Sequence, residues 1–211
     1  MKFGTTTLAL LGIVFSGTAH ATLIHINSQA GLATSAGPTT VTINPHPLWQ
    51  SNNPVNPGDS NDTSAVWISH QDSGYQGSQF QPYQGMTLVM SVFHSFWSGA
   101  GNLILKVWAD DTAGVFLDGN QLFAPVFTQS TCSGQAIGCR PQDFALINTA
   151  ITAGFHTLRF DTYQVGTGTN TTSNPFGLLY TGTAPSAVPE PSTMAVAAAG
   201  IAALACLRRQ R

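Results

Sequence analysis

The chain has 211 residues and a formal charge of −2, with charged side chains at only 8% of positions and hydrophobic ones at 43%. Its seven lysines and arginines form no stripe through the interior of the sequence, so nucleic acid has no electrostatic footprint to meet. Between two unusual ends lies enough chain for one domain with a real core.

The N-terminus carries Lys2, an apolar run Leu8–Phe15 and then Ala19-His20-Ala21. A positive residue, a short apolar stretch and a small-x-small site describe a signal peptide, 1–21, cut by signal peptidase after Ala21. The run is too short for a permanent span. The body that follows, Thr22–Val188, holds eight aspartates, no glutamate and three bases, Lys106, Arg140 and Arg159. Its surface is therefore built from Ser, Thr, Asn, Gln and Gly.

Period-two alternation of β-branched and aromatic residues dominates the body. It predicts strands at Thr22–Asn27, Thr40–Ile43, Ala65–Ser69, Thr87–Phe96, Asn102–Ala109, Gly114–Leu117, Gln121–Phe123, Phe144–Asn148, His156–Gln164 and Phe176–Thr181. No window has a helical period. Asn44–Asp62, with four prolines, reads as the longest loop. The pattern predicts an all-β, jelly-roll-like sandwich over 22–184. Parity places Leu88, Met90, Val92, His94 and Phe96 on one core face, with Leu103, Leu105, Val107 and Ala109 on another and Leu158 and Phe160 on a third. Trp49, Trp67, Trp97 and Trp108 are expected in the core, with sugar stacking the alternative.

The stretch Trp108–Phe123 reads as strand, acidic turn at Asp110-Asp111, short strand, Asp118-Gly119 turn, short strand. Adjacent aspartates at a strand end commonly bond their own backbone and shape a turn. Cys132 and Cys139 stand seven positions apart outside the cytoplasm, which predicts a structural disulfide. Such a loop contributes roughly 2–3 kcal/mol in the chain-entropy model. The histidines do not converge, and no His-Glu-x-x-His, nucleophile elbow or phosphate loop occurs. A glycosidase would need two aspartates across a cleft, and nothing in the sequence pairs Asp110 with Asp143 or Asp161. The chain therefore reads as non-catalytic, with a secreted hydrolase the remote alternative.

The C-terminus reads Pro189-Glu190-Pro191, then an apolar run over 194–207, then Arg208, Arg209 and Arg211. Two prolines bar helix and sheet and keep the segment extended, as a protease substrate must be. Fourteen residues of helix span about 21 Å, short of a hydrocarbon core of about 30 Å, which suits a temporary anchor. The arginines hold that end in the cytoplasm. This tail, 185–211, resembles the PEP-CTERM sorting tail, also labelled the ice-binding-protein C-terminal domain. The resemblance implies an exosortase as partner, transient anchoring in the inner membrane, and delivery to the cell surface or extracellular matrix.

Trp108–Phe123 resembles the hairpin of galactose-binding-like and protective-antigen-type jelly rolls. With His46–Trp49, Val66–Ser69, the cysteine pair and Phe176–Tyr180, the body is similar to a recurrent class of PEP-CTERM ectodomains. In some adhesins with the protective-antigen-type module, adjacent aspartates bind Ca2+ that bridges to sugar, and the resemblance gives Asp110 and Asp111 that part. It implies a module that binds or organises exopolysaccharide; a purely structural matrix protein is the alternative. No flat Thr-x-Thr ladder repeats along the body, so ice binding is not expected. Secreted material is expected to begin at Thr22 on N-terminal sequencing, and a start at Met1 refutes the signal peptide.

Overall fold

The computed structural model describes residues 22–80, 85–128, 136–166 and 168–186, together with positions 198 and 200. The signal peptide 1–21, Cys132, Pro189, Glu190, Pro191, Arg208, Arg209 and Arg211 lie outside the described residues, as does almost all of 194–207. Every strand falls in one unit, Thr22–Ala187. The second unit comprises Met1–Ala21 and Val188–Arg211, of which only 198 and 200 are described, both helical. Among the described residues no helix is long and apolar enough to cross a membrane.

The described strands are β1 (Leu23–His25), β2 (Ala33–Thr34), β3 (Val41–Thr42), β4 (Ile68–Ser69), β5 (Thr87–Ser98), β6 (Gly101–Asp110), β7 (Thr112–Leu117), β8 (Asn120–Phe123), β9 (Ala145–Ile151), β10 (Gly154–Gln164) and β11 (Gly177–Pro185). One sheet runs β3-β4-β11-β6-β9, with β1 also on β11; the other runs β2-β5-β10-β7-β8. All named pairings are antiparallel. From β5 onward the chain changes sheet at every connection except the β7–β8 hairpin. That alternation makes the sandwich a jelly roll, because each inner face is covered by the strand that follows it.

Alternation selects the core. Leu103, Leu105, Val107 and Ala109 of β6 meet Met90, Val92, Val115, Leu158 and Phe160 between the sheets, all fully buried. Parity fails in one place. Leu88 is exposed and Val89 is buried, because β5 carries an extra residue where Thr162 pairs with Met90 and Tyr163 with Leu88. Such a bulge re-aims every side chain beyond it.

Part of the outer face of the first sheet is buried as well, while Leu146 of β9 stays exposed. Ile43, Trp49, Ala65 and Trp67, contributed by the long loop and its flanks, pack with Trp108, Cys139 and Leu179 into a second core. The Trp67 indole donates to the Gln50 carbonyl at 2.6 Å, and the Trp67 amide donates to Asn52 Oδ1 at 2.8 Å. What reads in sequence as a loop is thus a cover. Gly177 lies beneath it: a β-carbon there would come within 2.6 Å of Ile43 and 3.1 Å of Trp67.

The hairpin β7–β8 turns at Asp118 (φ 50°) and Gly119 (φ 83°), two positive φ values that match the twist of paired strands. Asp118 also pins the hairpin to β10. Its Oδ1 accepts the Thr157 amide at 2.8 Å and its Oδ2 meets His156 Nδ1 at 2.6 Å, while His156 Nε2 faces the Thr152 carbonyl at 2.9 Å. Both ring nitrogens face acceptors, so the fully bonded ring is the imidazolium. The hydrogen bond to Asp118 raises the His156 pKa despite burial. Burial works to raise that of Asp118, but His156 and the Thr157 amide outweigh it and the net shift is downward.

A raised histidine stabilises fully below its unfolded value and loses that contribution as pH rises through the folded one; a depressed aspartate stabilises above its unfolded value and loses it as pH falls. The wild-type advantage in Tm over Asp118→Asn is therefore expected to be greatest between the ordinary values, 3.8 and 6.5, and to shrink on both sides. Thermal melts from pH 3 to 9 measure it, and a pH-independent difference refutes the pair.

Candidate functional site

The acidic pair sits where the chain passes from one sheet to the other. β6 ends at Asp110, β7 begins at Thr112, and only Asp111 lies between. The peptide bond joining the two aspartates is cis. Sequence reading places a turn here; the structure makes it the corner of the sandwich. Asp110 and Asp111 are both buried, at 6% and 3% exposure, yet both line an open cleft of about 280 Å³. Trp49, Leu48 and His46 from the long loop form one wall, and Cys139 and Arg140 another. Thr172–Pro175, before β11, closes the third side.

The two carboxylates have different tasks. Asp111 Oδ2 accepts the amides of Val165 and Gly166 at 2.7 Å each, and Gln164 Nε2 at 3.2 Å. It thereby ties the corner to the end of β10. Gln164 Nε2 also donates to Asn174 Oδ1 at 2.7 Å, which sets the orientation of that amide at the cleft. Asp110 receives a hydrogen bond from the Trp49 side chain, but its surroundings oppose its charge. Burial first, then the neighbouring Asp111, push its pKa well above the ordinary value.

A buried carboxylate beside a second one must be relieved by a proton or by a cation. Paired carboxylate oxygens, with amide and carbonyl oxygens from the surrounding loops, fit a hard, oxygen-seeking cation such as calcium. Among the described residues no group of three or more His, Cys, Asp or Glu is placed to hold a metal ion, so a cation here would draw most of its ligands from amide and carbonyl oxygens. His46 makes a different use of its ring. Its Nδ1 accepts the Leu48 amide at 3.2 Å, its ring meets Tyr75 edge-on at 4.8 Å, and burial lowers its pKa.

Other residues singled out from sequence lie elsewhere. Asp161 is on β10, where it accepts Ser91 Oγ at 2.7 Å and meets Arg159 at 3.1 Å; neither it nor Asp143 lines the cleft. His94 Nδ1 is 2.9 Å from the buried Tyr180 hydroxyl, between the sheets as parity places it, but half-buried. Trp49, Trp67 and Trp108 are buried, whereas Trp97 is 62% exposed. Cys139 is buried in the second core. Sequence reading did not reach Gln164, Val165, Gly166 or Asn174. They lie 53 to 63 positions beyond Asp111 and carry no motif.

A PEP-CTERM protein-sorting motif matches residues 187–210. The chain thus carries the tail of proteins exported and sorted by exosortase while anchored in a membrane. No curated protein matches the chain. Solved structures similar to it include a family 35 carbohydrate-binding module from Clostridium thermocellum, at 8% identity over 77% of this chain and 98% of that one, with a TM-score of 0.41. Another family 35 module, from an environmental isolate, is 14% identical over 79% of this chain and 98% of its own, at 0.34. A cycloisomaltooligosaccharide glucanotransferase from Paenibacillus sp. is 11% identical over 77% of this chain and 18% of the enzyme, at 0.37.

Removing the Asp111 carboxylate takes the acceptor from two backbone amides, Val165 and Gly166, at the corner. Asp111→Ala is expected to destabilise the body by about 1–3 kcal/mol in urea melts. A neutral result would show that the corner does not depend on those bonds.

Proposed function

We propose that this is an exported, exosortase-sorted surface or matrix protein whose β-sandwich is non-catalytic and binds exopolysaccharide at the corner cleft. The observation that carries the reading is the placement of Asp110 and Asp111 at the base of a solvent-open cleft. Its walls combine an apolar side, Leu48 and Trp49, with hydroxyl and amide groups from Thr172, Ser173 and Asn174. Sugars present the same mixture, C–H faces and hydroxyl edges. The cleft volume, about 280 Å³, is at the small end of ligand pockets, roughly 300–1,000 Å³. It suits one sugar residue of a longer chain. Calcium, when bound, would supply a positive centre for sugar hydroxyls. Asp110 would be its principal carboxylate, since Asp111 Oδ2 is engaged by the backbone. Gln164 orients Asn174, and Arg140 stands at the rim as a donor to sugar oxygen or an acidic substituent.

The signal peptide, the anchoring helix over 194–207 and a Cys132–Cys139 bridge complete the proposal. Cys139 would be one half of that bridge, and its position in the second core would fix the Arg140 wall beside the cleft.

The test is binding of the exported protein to the producing cell's own exopolysaccharide, with calcium and with chelator. Binding is expected in calcium only, and Asp110→Asn is expected to abolish it without lowering stability. Calcium at 100 times its Kd should also stabilise the wild type by about 2.7 kcal/mol. No binding in either buffer would leave a sorted structural protein without a glycan site.

A further inference from the structure

We infer that the end of the sandwich from which the sorting tail departs is a lipid-docking face, seated on the membrane by Trp97 and Phe155. The inference rests on the anchoring role proposed for the tail. Trp97 and Phe155 stand directly opposite one another in the β5–β10 ladder, on the outer face of their sheet, and each is 62% exposed. The next position along that face pairs Ser95 with Thr157, hydroxyl to hydroxyl at 3.0 Å. The two most exposed apolar side chains of the ladder are therefore gathered at one end.

That end is where the body stops. The Gly99 amide donates to the Pro185 carbonyl at 2.9 Å, two residues from Trp97. Ser186 donates to the Thr22 carbonyl at 2.7 Å, and Leu23, 45% exposed, pairs with Pro185. The apolar run begins eight residues after Ser186, at Met194. Extended chain covers at most about 3.3–3.6 Å per residue, so roughly 26–29 Å separates this end from the start of the run at full stretch. With the run in the bilayer, a tether of that length would keep this end within reach of the headgroups.

The chemistry of the face agrees. No charged residue occurs from Phe96 to Leu105 or from Ile147 to Phe155. The acids on this flank are paired: Asp118 with His156 at 2.6 Å, and Asp59 with His25 at 3.0 Å. Lipid phosphates therefore meet no unpaired carboxylate among these groups. Tryptophan favours the membrane–water interface, where an apolar ring and a polar N–H are both satisfied. Docking would hold Pro189-Glu190-Pro191 at headgroup level, in reach of a membrane-embedded protease. The corner cleft, at the opposite end of β6, would stay open to solvent.

The experiment places the full-length chain in vesicles of phosphatidylethanolamine and phosphatidylglycerol, with and without brominated lipid, and reads tryptophan emission. The chain has four tryptophans, and Trp49, Trp67 and Trp108 are at most 5% exposed, so contact quenching reports on Trp97. Bromolipid is expected to quench the wild type, with most of that quenching lost in Trp97→Phe and part of it in Phe155→Ser. Vesicle flotation should be unchanged in both variants, because the tail supplies it. Equal quenching of wild type and Trp97→Phe, or none, in chains that float would overturn the docking face. Failure to float would overturn the anchor and the docking together. A Trp97 emission shift with soluble exopolysaccharide, without bromolipid quenching, would assign the aromatics to glycan and overturn the proposal. Asp110→Asn should leave the quenching untouched, which keeps this result separate from that of the cleft.

Discussion

Everything in the sandwich depends on one strand being buried on both faces. β11 runs from Gly177 to Pro185, and its first eight residues are all buried. Leu178 and Tyr180 face the main core, where Tyr180 stacks on Phe160 at 4.1 Å. Leu179 faces the second core beneath Trp67 and Trp49. β6 flanks the strand along one edge, and β1 and β4 share the other. A strand so enclosed reads as a near-continuous apolar run, which is the pattern of Phe176–Tyr180. It also tolerates no bulk where neighbours close in: a β-carbon on Gly182 would fall 2.3 Å from the Ile104 carbonyl oxygen.

That burial explains the long loop. An apolar outer face needs a lid, and residues 43–67 supply one with two tryptophans and a frame of hydrogen bonds. Asn56 Nδ2 donates to the Gly182 carbonyl at 2.8 Å and to Asp62 at 2.9 Å, and Asn27 Nδ2 donates to Asp62 at 2.6 Å. The prolines of this segment bar regular structure without barring order. The lid then ends at His46–Trp49, which is one wall of the cleft. The cover of the second core and the rim of the candidate site are the same piece of chain.

The sequence made the fold legible because the signal was local. Alternation over three to ten residues located ten of the strands and the faces of β6 and β10. It could not show β2, which has two residues and no period, nor the extra residue at Val89, whose only sign is that the β10 pairing skips it. The acidic pair was legible as a turn because adjacent aspartates at a strand end commonly bond their own backbone, but that the turn joins two sheets was not. Its partners were not, since the Val165 and Gly166 amides are backbone groups more than fifty positions away. Trp97 illustrates the limit most clearly. Its large apolar ring suggests a core residue, yet it lies on the outward parity of β5 beside buried Phe96 and Ser98. Only the pairing with Phe155 and the nearness of Pro185 give it meaning.

Charge is scarce in this chain, and the molecule spends most of what it has on structure. Among the aspartates whose pKa is displaced, Asp59, Asp62 and Asp118 are all lowered. For Asp59 the Asn61 amide leads; for the other two, hydrogen bonds outweigh burial. Each is thereby more acidic in the fold than in the open chain. Asp110 alone of these is pushed the other way. Asp110 shares a side-chain hydrogen bond with Asp111 that favours its protonated form, so a proton can relieve the opposition within the fold. Asp111 is sufficient to pin the corner, and an amide at position 110 would spare the chain a buried like-charge contact. A proton on Asp110 or a cation relieves that opposition, and the side of the corner open to a cation is the cleft.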